Sequence, residues 1–180
     1  MSTGFSPEAW SRIPFIDGPL RDGCGTPFEY DLGEGVRCAD CMAKPRAFAR
    51  GRAACLYDDA SRGVILQLKH ADRTDLAPLL AGWISRSARD LLADALVRLR
   101  ATETQGGKSG SGRRRNVAAA FATPAGRAHQ VAGKRILLID DVMTTGATLE
   151  GCARALLAAG ATCVDVAVVA RVKEAANRSI

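Results

Sequence analysis

Long apolar runs are missing from this chain. No stretch of 18 or more uncharged apolar residues occurs, which excludes a membrane-spanning helix of ordinary length. The first residues, Met1-Ser-Thr-Gly-Phe-Ser-Pro-Glu8, hold no basic region followed by an apolar stretch, so a soluble, cytoplasmic protein with no membrane segment is expected. Histidine is scarce, with two in 180 residues. No Ser-His-Asp or Cys-His pattern forms around them, and covalent catalysis finds no support. Aromatic residues make up 5% of the chain, which leaves few platforms for stacking bases. A β-rich run is also missing from residues 58–116, although a parallel sheet gains a strand about every 30 residues.

What is present is charge of one sign and a cluster of thiols. The formal charge is +6. Residues 1–56 hold seven Lys/Arg against seven Asp/Glu, so the whole excess lies in residues 57–180, the part suited to anionic ligands. Four of the six cysteines, Cys24, Cys38, Cys41 and Cys55, fall within 32 residues. In a reducing compartment such clustering favours a metal site over a disulfide framework. Cys152 and Cys163 fall on apolar faces and read as core residues.

Residues 1–56 are rich in Gly, Pro and Asp and read as a small loop-rich module, with a second domain over 57–180. Val64, Ile65 and Leu68 suggest a short helix. From Asp75 to Leu99, apolar residues including Leu76, Leu80, Trp83, Leu91 and Leu99 recur at helical spacing, which predicts one amphipathic helix or two in close succession. Residues 102–115 have the composition of a loop with a basic end: either a solvated linker or an active-site lid. Arg113 to Arg115 reads as a solvated charge run or as a group that closes on substrate. Lys69, His70 and His129 read as surface residues.

The segment from Arg135 onward is a strand-helix-strand unit: an apolar run at 135–139, a helix at 149–159 closed by Gly160, and a second β-rich run at 163–169. Both runs are apolar on successive residues, as in strands of a parallel sheet covered on both faces. The fold class is therefore α/β. Ligands of such sheets bind beyond the carboxyl ends of the strands, where this chain places Asp140 and Asp141 and then a turn of hydroxyl residues and glycine. Backbone N–H groups of residues 144–148 at the start of the helix suit an anion. Thr144, Thr145 and Thr148 add hydroxyl donors, and Gly146 lets the backbone approach a phosphate. Two adjacent carboxylates there call for ligand hydroxyls, a divalent cation, or both.

The string Ile136-Leu-Leu-Ile-Asp-Asp-Val-Met-Thr-Thr-Gly-Ala-Thr148 resembles the phosphoribosyl-pyrophosphate motif of type I phosphoribosyltransferases. The resemblance implies that Asp140 and Asp141, the catalytic candidates, hold the ribose hydroxyls. It makes Thr144, Thr145, Gly146, Ala147 and Thr148 the 5-phosphate loop, with Mg2+ bridging ribose and pyrophosphate. Further segments narrow the likeness to the ComF (competence protein F) family: Cys24-Gly-Thr-Pro-Phe28 with Cys38-Ala-Asp-Cys41, Tyr57 to His70, Arg100 to Gln105, and Arg113 to Val117 with Phe121. That family joins a zinc-ribbon-like module to a phosphoribosyltransferase-like domain, and some members are implicated in DNA uptake. The likeness implies phosphoribosyl pyrophosphate or a nucleotide as ligand, with single-stranded DNA or competence proteins as alternative partners.

Two departures stand out. The family opens its zinc module with Cys-x-x-Cys, whereas Arg21 stands where the partner of Cys24 belongs. Cys55, fourteen residues past Cys41 just as Cys24 lies fourteen before Cys38, is the nearest substitute for a fourth Zn2+ ligand; the alternative is a degenerate, metal-free module. The family's Pro-Val-Pro-Leu-His turn and following helix, where the pyrophosphate loop belongs, are absent. This points to an internal deletion of one strand-helix unit. Losing pyrophosphate contacts is expected to cost rate more than phosphate affinity.

Overall fold

The computed structural model describes residues 6–28, 30–33, 35–70, 73–91, 95–98 and 129–173. Arg100 to Gln105, the basic run at 113–115, Val117 and Phe121 lie outside the described residues, as do the side chains of Lys69 and His70. In chain order the elements are α1 (Pro7–Ser11), α2 (Ala39–Ala43), β1 (Gly51–Leu56), α3 (Asp59–His70) and a 3-10 turn (Thr74–Leu76). They continue as α4 (Ala77–Ser87), β2 (Ala95–Arg98), β3 (Arg135–Met143), α5 (Ala147–Ala158) and β4 (Cys163–Arg171).

Local chemistry sets several of these boundaries. The Asp58 carboxylate accepts from the Ser61 N–H while the Ser61 hydroxyl accepts from the Asp58 N–H, both at 2.9 Å. This reciprocal cap starts α3. Pro78 lies in the first turn of α4, where its missing N–H costs no bond. Gly160 follows α5 at φ 95°, the left-handed stop expected of a glycine there.

The four strands form one parallel sheet in the order β1-β4-β3-β2. The path from β1 to β2 crosses the sheet in one direction, and the path from β3 to β4 returns. Right-handed crossovers therefore put α3 and α4 on one face and α5 on the other. The cores follow: Leu149, Cys152 and Leu156 of α5 pack on Ile136, Leu138 and Val166. Val64, Leu80 and Trp83 pack on Ala54 and Val169 across the sheet. Every residue of β4 after Cys163 is buried, as its mostly apolar run, interrupted by Asp165, predicts.

One expectation needs correction. Residues 75–99 are not helical throughout: α4 stops at Ser87, and Ala95–Arg98 is a strand whose residues pair with Ile136 to Ile139. The stretch thought to lack any strand thus supplies one, because pairing with β3 outweighs the helical spacing of its leucines. β1 ends at Leu56. β1 belongs to the sheet, and its outer edge is covered by the N-terminal segment, where Phe15 bridges Cys55 antiparallel. The Ile16 N–H donates to the Ala54 carbonyl at 2.9 Å and the Leu56 N–H to the Pro14 carbonyl at 3.0 Å. Trp10 of α1 meets Trp83 edge-on at 5.5 Å, which seats that segment on α4.

At the amino end of the sheet, Asp165 is 2% exposed and accepts from Arg50 at 3.0 Å, with Arg135 at 3.8 Å. Arg52 forks onto the Asp90 carboxylate with bonds of 2.7 to 3.2 Å. Paired in this way, the buried charges keep their desolvation cost offset. No helix among the described residues is long and apolar enough to cross a membrane.

Candidate functional site

The loop after β3 lies at the opposite, carboxyl end of the sheet. β3 runs three residues further than Asp140, with Asp140 facing Val168 and Met143 facing Arg171 in register. Asp140 and Asp141 are therefore strand residues and point to opposite faces of the sheet. Asp140 shares the face of Ile136 and Leu138 with α5. The Cys152 thiol on α5 is pushed up to about 12 by burial and then by the Asp140 charge. The Asp141 N–H donates to the Asp140 carboxylate at 2.9 Å. Both carboxylates are half-buried.

The chain then turns through Thr144, Thr145 and Gly146 into α5. Gly146 is the N-cap residue, at φ 76°, a left-handed conformation that suits glycine. Thr144, Thr145, Ala147 and Thr148 are exposed while Gly146 is buried. The Thr145 hydroxyl accepts from the Ala147 N–H at 3.4 Å. This places three hydroxyls and the orphan N–H groups of a twelve-residue helix in one exposed turn, two residues past a pair of carboxylates. Such a turn can bind a phosphate through N–H and hydroxyl donors while the carboxylates accept from neighbouring hydroxyls.

Sequence reasoning missed what holds the turn from behind. The Arg46 guanidinium donates through Nη1 to the Thr145 carbonyl at 3.0 Å. The Ala47 N–H donates to both oxygens of Glu150 at 3.1 and 3.0 Å, and Glu150 also pairs with Arg154 at 2.6 Å. Residues 46 and 47 carry no pattern that would reveal these contacts, which span about a hundred positions.

The same N-terminal segment gathers thiols. The sulfur atoms of Cys24, Cys38 and Cys41 lie within 4.8 Å of one another, with Cys24 and Cys38 3.9 Å apart. Gly25, at φ 69°, allows this loop to press on β1, since a Cβ there would collide with the Gly51 carbonyl. Burial pushes the Cys41 thiol up to about 12, helped by Cys38 and Cys24. Burial also raises Cys38, but the Cys41 N–H, the Cys41 and Cys24 thiols and Arg21 outweigh it and hold Cys38 below its ordinary value.

Cys55 does not join them. It is fully buried in β1, donates to the Val169 carbonyl at 3.3 Å, and burial pushes its thiol up to about 12. Strand pairing fixes its position, so the equal spacing that suggested it as a fourth ligand has no meaning in space. The three remaining thiols fit a thiophilic cation with one position left for another ligand. Arg21, which helps lower the Cys38 pKa, cannot be that ligand, but its charge would offset that of thiolates around a bound cation.

The phosphoribosyl transferase domain model matches residues 80–179, a span that contains β2, β3, the loop, α5 and β4. The chain belongs to the phosphoribosyl transferase family. The chain resembles the DNA utilization protein YhgH of Escherichia coli O157:H7, 28% identical over 201 aligned positions, 87% of this chain and 86% of the relative. The proteins of that name from Escherichia coli K12 and Shigella flexneri are each 27% identical over the same shares. The likeness extends along the chain and keeps it in the ComF branch of the family. Since 87% of 180 residues is about 157, some 44 of the 201 positions face gaps in this chain. The relatives thus carry internal residues that it lacks, as the absent Pro-Val-Pro-Leu-His segment implies, even though the helical argument for the deletion fails at β2. No solved structure matches the chain.

Proposed function

We propose that the chain binds the ribose 5-phosphate group of phosphoribosyl pyrophosphate or of a nucleotide at the carboxyl end of β3. The observation that carries this reading is the join of two half-buried carboxylates to an exposed hydroxyl turn at the start of α5. In it, Asp140 and Asp141 accept from the ribose hydroxyls. Thr144, Thr145, Gly146, Ala147 and Thr148 enclose the 5-phosphate. Mg2+, which Asp140 and Asp141 would help hold with the ligand's hydroxyls, would supply charge neutralisation for the pyrophosphate. Without the family's pyrophosphate turn, ligand binding outlasts turnover: transfer needs the leaving group stabilised as it departs, and ground-state affinity does not. Isothermal titration with ribose 5-phosphate and with phosphoribosyl pyrophosphate, with and without Mg2+, tests this. Binding that disappears in the Asp140→Asn/Asp141→Asn double variant is expected.

Cys24, Cys38 and Cys41 are proposed to hold Zn2+ in a structural role, with solvent or Thr26 completing the set; the Thr26 hydroxyl is 3.2 Å from the Cys24 sulfur. Metal analysis of the purified protein tests it, about one zinc per chain being expected. A second reading follows from the relatives' name. DNA utilization and the charge of +6 favour a factor that contacts single-stranded DNA or uptake partners. It predicts salt-dependent DNA binding that survives loss of both aspartates.

A further inference from the structure

The phosphate loop from Thr144 to Thr148 contains no basic residue, whereas a phosphate monoester carries about −1.5 to −2 charges at neutral pH. The first turn of α5 even adds a carboxylate, Glu150. Among the described residues, the cation that reaches the loop is Arg46, from the N-terminal segment. Its Nη1 is 3.0 Å from the Thr145 carbonyl and 3.3 Å from the place a Cβ on Gly146 would take. Gly146 thus lacks a side chain for two reasons, its left-handed φ and the guanidinium beside it.

Arg46 is also held in place. Its guanidinium carbon lies 6.0 Å from the ring centre of Phe48, and Phe48, 2% exposed, is packed into the core under α5. Ala47 is tied to Glu150, so the backbone that follows the arginine is anchored. Of the five N–H donors of the guanidinium, the Thr145 carbonyl takes one, and no carboxylate among the described residues pairs with the rest.

A trans peptide is planar, with its C=O and N–H directed oppositely, and the chain has no cis peptide among the described residues. Fixing the Thr145 carbonyl toward Arg46 therefore fixes the Gly146 N–H on the other side of that peptide, away from the N-terminal segment. We propose that Arg46 is a positioning residue of the phosphate site. It sets the Thr145–Gly146 peptide so that its N–H serves the anion, and it supplies the positive charge that the loop lacks. The N-terminal segment is then part of the ligand site, with Cys41 only five residues before the arginine. This rests on the ribose-phosphate reading above and adds a residue to it.

The test is titration of ribose 5-phosphate and of phosphate-free ribose into the full chain and into Arg46→Ala, Arg46→Gln and Arg46→Lys, with apo melting temperatures measured alongside. The expected result is a loss of roughly ten- to hundredfold in ribose 5-phosphate affinity for Ala, the scale of one charge-assisted hydrogen bond. Gln, which keeps a donor without charge, is expected to bind weakly, and Lys to recover most of the affinity with a salt dependence like that of the unaltered protein. Weakening by Ala and Gln alike with no recovery by Lys would remove the charge from the proposal and overturn it. If Ala does not fold, Gln and Lys decide the same point. Equal affinity in all variants, within twofold, overturns the role of Arg46 and leaves the ribose-phosphate reading standing. If the unaltered protein itself binds no ribose 5-phosphate, it is that reading which falls.

Discussion

The backbone N–H of Ala47 donates to both carboxylate oxygens of Glu150, tying the segment that follows the cysteine cluster to the first turn of α5. The contact joins parts of the chain that composition separates into a loop-rich module and an α/β domain. Glu150→Ala removes the acceptor and leaves the Ala47 N–H without its partner. A loss of about 1–3 kcal/mol is expected, seen as a lower midpoint in urea with little change in slope.

Gly146→Ala tests the turn itself. Its φ of 76° and the Arg46 Nη1 at 3.3 Å from the added Cβ both oppose the substitution. A cost of about 1–2 kcal/mol is expected from the backbone alone, with a larger proportional loss of ribose 5-phosphate affinity. An alanine variant that binds as well as the parent would show that this turn does not need the left-handed geometry.

At the amino end of the sheet, Asp165→Ala removes the buried carboxylate that accepts from Arg50 and faces the exposed Arg135, while Arg50 keeps Asp90 at 3.9 Å. A cost of about 1–3 kcal/mol is expected for the lost charge-assisted bond, with ligand affinity unchanged in whatever fraction remains folded. Asp90 adds a pH dependence. Burial raises its pKa, but the Arg52 hydrogen bonds and charge, with Arg50, outweigh this and leave it lowered. A lowered folded pKa means stability present above the unfolded value and lost as pH falls through the folded one. Unfolding free energy should decline below about pH 4, and Asp90→Asn should flatten that decline while lowering stability at pH 7.

Thiol labelling separates five of the six cysteines into two groups. Cys55 and Cys152, both buried and raised to about 12, should resist alkylation at pH 8 in the native protein. The Cys24, Cys38 and Cys41 set should be protected by Zn2+ and become reactive after chelation. Mass spectrometry of alkylated peptides checks this; rapid labelling of Cys55 in the folded protein would contradict its place in the sheet.

Much of the architecture was legible where local pattern and tertiary context agree. The runs that became β3, α5 and β4 carry their own periodicity and a glycine stop, and Val64, Ile65 and Leu68 mark α3. β2 was hidden because its four residues continue the helical spacing of the leucines before it, and only pairing with β3 makes them a strand. The cysteines show the same division. Cys38 and Cys41 converge as their short spacing suggests, and Cys24 joins them, whereas Cys55, at the same separation from Cys41 as Cys24 from Cys38, is placed by a sheet that forms only with residues more than a hundred positions away. Arg46 left no signal at all. Its role depends on a carbonyl 99 residues distant, and neither its neighbours nor its spacing mark it.

The account stands on the join of carboxylates and hydroxyl turn, and one measurement tests it most directly. Phosphoribosyl pyrophosphate with Mg2+ is titrated while the thermal midpoint of the unaltered chain and of the Asp140→Asn/Asp141→Asn variant is followed. A concentration-dependent rise of several degrees in the first and none in the second is the predicted result. No shift at millimolar ligand in the unaltered chain, or an equal shift in both, would contradict it.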